Sequence, residues 1–194
     1  MLKVIPDESG RVKALHITSL ESLHRPEIIR HVERLLNNYE PPPQGCIVVV
    51  LPGELLDRPY IRDPLIYWLI DQLISNDLLS KVHIIINNPI LGPIPYEISE
   101  IYPLSQHEYP EPTPNYLRLH AHHLLRKYLI KLRSKGFNGI MVITKDYREK
   151  IINELMGLGF KGLIILKARS RQELYSLIPW IVKEISGIQC SNQM

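Results

Sequence analysis

The sequence predicts an α/β protein, a three-layer α/β/α sandwich around a parallel sheet of four strands. Two observations predict it. Four short apolar runs, "CIVVVL" (46–51), "VHIII" (82–86), "GIMVIT" (139–144) and "GLIILK" (162–167), are β-branched and lack polar alternation, as strands covered on both faces do. Between and after them lie helical stretches at about 64–76, 114–135 and 146–157, then a last helix from about residue 171. Strand alternating with helix requires right-handed crossovers that cover both faces of one sheet.

Upstream of the first run, residues 1–17 read as a hairpin around the turn "PDESG". "RPEIIRHVERLLNNYEPPP" then puts Pro26 near a helix start and aligns Ile28, Ile29, Val32, Leu35 and Leu36 on one face before a triple-proline stop. Farther on, Asp146 with Glu149, and Ser170 with Glu173, stand at capping-box spacing. Leu174, Leu177, Ile178, Ile181, Val182 and Ile185 form one stripe of the last helix, and Pro179 inside it is expected to bend or break it. A length of 194 residues suits one domain. Its parts are a hairpin and helix (1–45), the parallel-sheet core (46–186) and a tail (187–194).

A formal net charge of +3 does not by itself identify a nucleic-acid binder. Its distribution is uneven. No Lys or Arg occurs from Val82 to Leu117, where four glutamates fall, whereas Arg118 to Lys135 holds six Lys or Arg and no acid. The two cysteines, Cys46 and Cys190, give neither a disulfide framework nor a zinc spacing, and read as reduced intracellular thiols. With no charged-then-apolar leader and no apolar run of membrane-spanning length, the expected location is the cytoplasm.

In a parallel sheet, ligands bind where loops leave the carboxyl ends of the strands. Two such loops are long: "PGELLDRPYIRDP" (52–64) and "NNPILGPIPYEISEIYPLSQHEYPEPTP" (87–114), the second carrying seven of the 16 prolines. Connections of this kind usually need two to six residues.

At these loops a family resemblance enters. "PILGPIPYEISEIYP" followed by "HEY" resembles a segment of archaeosine synthase and its archaeal tRNA-guanine transglycosylase relatives, with Gly92, Pro95, Glu97, Tyr102, Pro103 and His107 in the corresponding places. "RPEIIRHVERLLNNYEPP" resembles the helix before that domain's first strand. The resemblance covers one domain, the one that follows the barrel in those larger enzymes, and implies a uracil-DNA-glycosylase-like fold with strand order 2-1-3-4. It also implies tRNA as partner. In the synthase, a Cys follows a Pro after the first strand, then come Lys-Pro-Tyr, Ser and His, and a thiol suits attack on a nitrile. Here Pro52 is kept, Gly53 stands at the Cys, Arg58-Pro59-Tyr60 answers Lys-Pro-Tyr one position late, and Asp63 and Ile66 replace Ser and His.

That resemblance implies an RNA-binding or accessory role in tRNA modification with the thiol chemistry lost. Two other readings stay open: an enzyme acting on a deazaguanine-type base, and an interaction module for a transglycosylase-like partner chain. No cofactor is expected. Candidate binding residues are Pro52, Arg58, Tyr60, Gly92, Pro95 and Tyr102. Arg58 offers a guanidinium to phosphate and Tyr60 a stacking face; otherwise the loop charges are solvated and Tyr60 plugs the core. Glu97 and His107 are the acid-base candidates, against a reading in which the proline-rich loop simply packs. The helix with Arg118, Arg126, Lys127 and Lys131 is the candidate RNA-contacting face, or a solvated one. "HAHH" (120–123) lacks the second pair a metal shell needs, so no metal is expected.

Overall fold

The computed structural model describes residues 15–188 apart from 102, 103, 105, 106, 111 and 146–148, together with Cys190. Four strands run parallel: β2 (Ile47–Pro52), β3 (Val82–Asn88), β6 (Gly139–Thr144) and β7 (Gly162–Lys167). Between β3 and β6 in sequence lie two short strands, β4 (Gly92–Pro95) and β5 (His107–Glu108), while β1 (Leu15–His16) precedes them all. The main sheet has the order β4-β3-β2-β6-β7. It therefore has five strands and is mixed, which corrects the expected four-stranded parallel sheet. The added strand β4 pairs antiparallel with β3, Asn88 opposite Gly92 and Asn87 opposite Pro93.

Local chemistry makes that reversal. The Asn88 side-chain oxygen accepts from the backbone N–H of Ile90 and of Leu91, both at 2.9 Å, and Gly92 takes φ +74°, a left-handed conformation that glycine adopts without a Cβ penalty. A Cβ at Gly92 would also lie 3.0 Å from Leu124 Cβ. Two prolines within four residues read as loop, but an edge strand accommodates them.

Five helices cover the sheet: α1 (Pro26–Glu33, continued by one π-helical turn, Arg34–Asn38), α2 (Pro64–Ser75), α3 (Asn115–Ser134), α4 (Glu149–Met156) and α5 (Arg171–Gly187). Leu65, Ile66 and Leu69 of α2 and Leu174, Ile178 and Ile181 of α5 pack on Val49, Leu51, Ile84 and Ile86 in one core. Leu125, Tyr128, Leu129 and Leu132 of α3 and Leu155 of α4 pack on Val48, Val50, Ile85 and Val142 in a second. Helix α1 spans both, Ile28 in the first and Leu35 in the second. Its expected face is corrected in one place: Ile29 is exposed and His31 is buried.

Helix α5 is continuous through Pro179. Pro179 is exposed, and the buried stripe on the opposite side holds the two halves in line, which outweighs the one backbone bond a proline removes. At its start Ser170 Oγ accepts from Glu173 N at 3.1 Å, and the Glu173 carboxylate accepts from Arg169 N at 2.7 Å. Asp146, the other expected cap, lies outside the described residues, as does most of the expected hairpin at 1–17; Leu15–His16 pair in parallel with His107–Glu108. The reading of free thiols is corrected: Cys46 and Cys190 are joined, with Cα atoms 5.8 Å apart and 144 residues of separation. Spacing could not reveal the pair, because α5 returns the tail to the amino end of β2. Among the described residues, no helix is long and apolar enough to cross a membrane.

Candidate functional site at the carboxyl edge of the sheet

The carboxyl ends of β2 and β3 carry two sets of side chains, one on each face, since neighbouring strand residues point to opposite sides. On the α2/α5 face the 52–64 loop is tied down by Asp63. Its carboxylate is fully buried and caps α2, accepting from Leu65 N at 2.7 Å and Ile66 N at 3.4 Å. It also accepts from Asp57 N at 2.5 Å and, bidentately, from the Arg171 guanidinium at 2.6 and 2.9 Å. Arg171 donates further to the Leu55 carbonyl at 3.2 Å. An aspartate that reads as a solvated loop charge is thus a buried anchor, recognised by an arginine 108 residues away.

Beside it, Tyr60 and His107 meet across Asn88. The Asn88 amide nitrogen is 2.8 Å from Tyr60 Oη and 2.8 Å from His107 Nε2. Because that nitrogen only donates, His107 Nε2 accepts and its ring proton sits on Nδ1. Arg58 donates to the His107 carbonyl at 2.7 Å and stacks its guanidinium 4.6 Å from the Tyr109 ring centre. Tyr60 is 0% exposed, and burial pushes its hydroxyl pKa up. Arg58, Tyr60 and His107 are therefore brought together, as a clamp that shuts the two long loops on each other. Gly53 is enclosed by the same packing: a Cβ there would lie 3.0 Å from the Asn87 carbonyl and 3.0 Å from Tyr60 Oη.

Glu97 is elsewhere. Strand β4 carries the chain back toward the amino end of the sheet, where Glu97 accepts from Tyr39 Oη at 2.9 Å and faces His83 Nδ1 at 3.4 Å, while His83 Nε2 is 2.8 Å from Tyr128 Oη. Burial raises the Glu97 carboxyl pKa, but the hydrogen bond and charge of His83 outweigh it and hold the group below its ordinary value. Glu97 and His107 belong to separate networks and form no acid-base pair. Pro95 and Gly92 are buried parts of β4, and Tyr102 lies outside the described residues.

The four candidate cations on α3, Arg118, Arg126, Lys127 and Lys131, divide. Lys131 donates to the Leu35 and Tyr39 carbonyls at 3.0 and 2.5 Å, closing the carboxyl end of the π-helical turn. Arg118 makes a bidentate pair with Glu54 at 2.8 and 3.1 Å. Arg126 and Lys127 are exposed, with no ion pair among the described residues. His122 Nε2 is 2.7 Å from the Glu154 carboxylate, and no group of His, Cys, Asp and Glu suited to a metal ion occurs among the described residues.

On the α3/α4 face of the same sheet edge lies a cavity of about 360 Å³. Leu125, Val142, Leu155 and Ile165 make its apolar floor, with Pro52 and Pro89 beside them. Around its rim stand Glu54 with Arg118, His122 with Glu154, and Lys145, 45% exposed and 4.0 Å from Glu54. Asn87 lines it too, and the Asn87 side-chain oxygen is buried with no donor among the described residues. Of the sequence candidates only Pro52 and Arg118 reach this cavity. Asn87, Glu54, His122 and Lys145 were missed; the doublet Asn87-Asn88 at a strand's carboxyl end was the available signal.

Comparison with known proteins links the chain to tRNA-modifying enzymes. It is 33% identical over 106 residues to the tRNA-guanine(15) transglycosylase of Methanocaldococcus jannaschii, a match covering 54% of this chain and 14% of that protein. Against proteins of the same name, it is 35% identical over 108 residues in Saccharolobus solfataricus (56% and 20% covered) and 34% over 84 residues in Pyrobaculum aerophilum (43% and 15%). No family model matches the chain, and no solved structure matches it. The chain is thus similar, over about half its length, to a segment making up a fifth or less of these archaeal tRNA-guanine(15) transglycosylases.

Proposed function

We propose that this chain is an RNA-binding or accessory domain working in archaeal tRNA modification, of the uracil-DNA-glycosylase-like architecture its resemblance implies, and that it lacks the thiol chemistry of the synthase. The observation that carries the reading is Gly53. At the end of β2, where the resembling synthase has its nucleophile, this chain has no side chain, and backbone and Tyr60 occupy the space one would need. The similarity to tRNA-guanine(15) transglycosylases supports the tRNA setting. Arg126 and Lys127, exposed on α3 and without an ion pair among the described residues, are the residues that would meet RNA phosphates.

A second reading has its own support: Tyr116, Leu119 and Ile130 leave apolar surface exposed along the same helix, as a face for a transglycosylase-like partner chain would.

Titration of tRNA transcripts, with and without a deazaguanine base at the target position, over a range of salt concentrations tests the proposal. Binding should weaken steeply with salt, and Arg126→Ala with Lys127→Ala should reduce the slope of log affinity against log salt by about 1–2. Negligible binding at low salt would sink the RNA-binding reading.

A further inference from the structure

We propose that one face of α3, the stripe Tyr116, His120, His123 and Lys127 with His24 beside it, is a phosphate-binding site for RNA that tightens as its histidines take up protons. The inference rests on the RNA-binding reading above and adds what regulates that contact.

Helical register makes the stripe. Residues 116, 120, 123 and 127 recur at three- and four-residue spacing within Asn115–Ser134 and so line one side of the helix. His123 and Lys127 are exposed, Tyr116 is 44% exposed and His120 is half-buried. Tyr116 Oη meets the Thr18 carbonyl at 3.4 Å, which brings the segment leading into the short 3₁₀ turn Glu21–His24 against the helix. No aspartate or glutamate occurs anywhere along α3.

The charges that bear on His120 have one sign. Burial, followed by the charges of His123, His24 and Lys127, holds its pKa below the ordinary value, and Arg126 stands exposed beside Lys127. None of these five side chains has an ion pair among the described residues. The carboxylate on the facing turn is Glu21, exposed and hydrogen-bonded to Ser19, with His24 the charge that acts on it. A set of like charges is relieved by an external anion, and an RNA backbone supplies several phosphates in a row. Tyr116, at the end of the stripe, offers a ring on which a base can stack. Imidazole is charged only when protonated, and a bound phosphate favours that form, so affinity rises as pH falls through the histidine range. The other histidines are placed differently: His31, His83 and His107 are buried, and His122 faces Glu154.

The test measures the affinity of the full chain for a tRNA transcript from about pH 7.5 to about pH 5.5, the range in which histidine titrates, at several salt concentrations and with circular dichroism confirming the fold at each pH. Wild type should bind about tenfold or more tightly at the acid end, since each proton taken up on binding adds up to about one log unit of affinity per pH unit. Its slope of log affinity against log salt should steepen by about 1–2 there, as phosphate contacts are gained. His120→Gln with His123→Gln should remove most of both changes. By NMR, the imidazole signals of His120 and His123 should titrate at higher pH in the presence of the transcript, a readout that needs no variant. Salt-dependent binding that is flat with pH overturns the proposal and leaves the RNA-binding role standing. A pH response that the double variant retains, or imidazoles whose titration ignores the transcript, also overturns it. Absence of binding at every pH and at low salt overturns both the proposal and the role on which it rests.

Discussion

Asn87 and Asn88 are neighbours on one strand, yet they face opposite layers and have opposite fates. Asn88 looks into the α2/α5 side, where Tyr60, His107 and Asp63 are buried and partnered, with the more exposed Arg58 and Arg171 tied to them from outside. Asn87 looks into the α3/α4 side, where a cavity remains and its own oxygen has no donor among the described residues. Two loops long enough to build a site were spent on the first side. The difference teaches that long loops can close one face of a sheet edge while the other face keeps an open cavity.

That contrast can be broken most forcefully at Arg171. Arg171→Ala leaves the Asp63 carboxylate buried without its cation, and the loss should be about 3–5 kcal/mol in chemical denaturation. A loss below about 1 kcal/mol would mean that the ion pair does not hold the closed side. Next comes Asn88→Ala, which strands the Ile90 and Leu91 amides and takes one donor from Tyr60 and from His107. It should cost about 2–4 kcal/mol, against little or no cost for Asn87→Leu one residue away. Equal costs at the two positions would erase the distinction between the faces.

The smallest effect is read by pH. His31 is buried, and desolvation, followed by the Arg34 charge, lowers its pKa from 6.5 to about 4. A histidine whose folded pKa is depressed contributes stability fully above the unfolded pKa and loses it as pH falls from 6.5 toward about 4. By about pH 5.5 the loss from this group should be about 1 kcal/mol. His31→Leu should flatten that part of the stability profile; an unchanged profile would show that His31 is already protonated or solvated.

The apolar runs made the parallel strands legible, because strands covered on both faces need no alternation to announce them. Strand β4 was hidden by Pro93 and Pro95, which forbid a central strand but not an edge. The anchors were hidden by distance: Asp63 pairs with Arg171 across 108 residues, and Cys46 with Cys190 across 144. Arg118 and His122 read as members of a polar helix face; in the fold they are half-buried and meet Glu54 and Glu154. Glu97 and His107, ten residues apart, looked like one site until β4 carried Glu97 to the opposite end of the sheet.

Strand β4 has one more consequence. In its register with β3, Pro93 and Pro95 stand opposite Asn87 and Ile85, so the amide hydrogens they lack are those that would otherwise point outward. The outer rim of the sheet thus offers an incoming strand few free donors, and the molecule is protected there against self-association edge to edge. Growth of the sheet by polymerisation would have to begin at β7 instead.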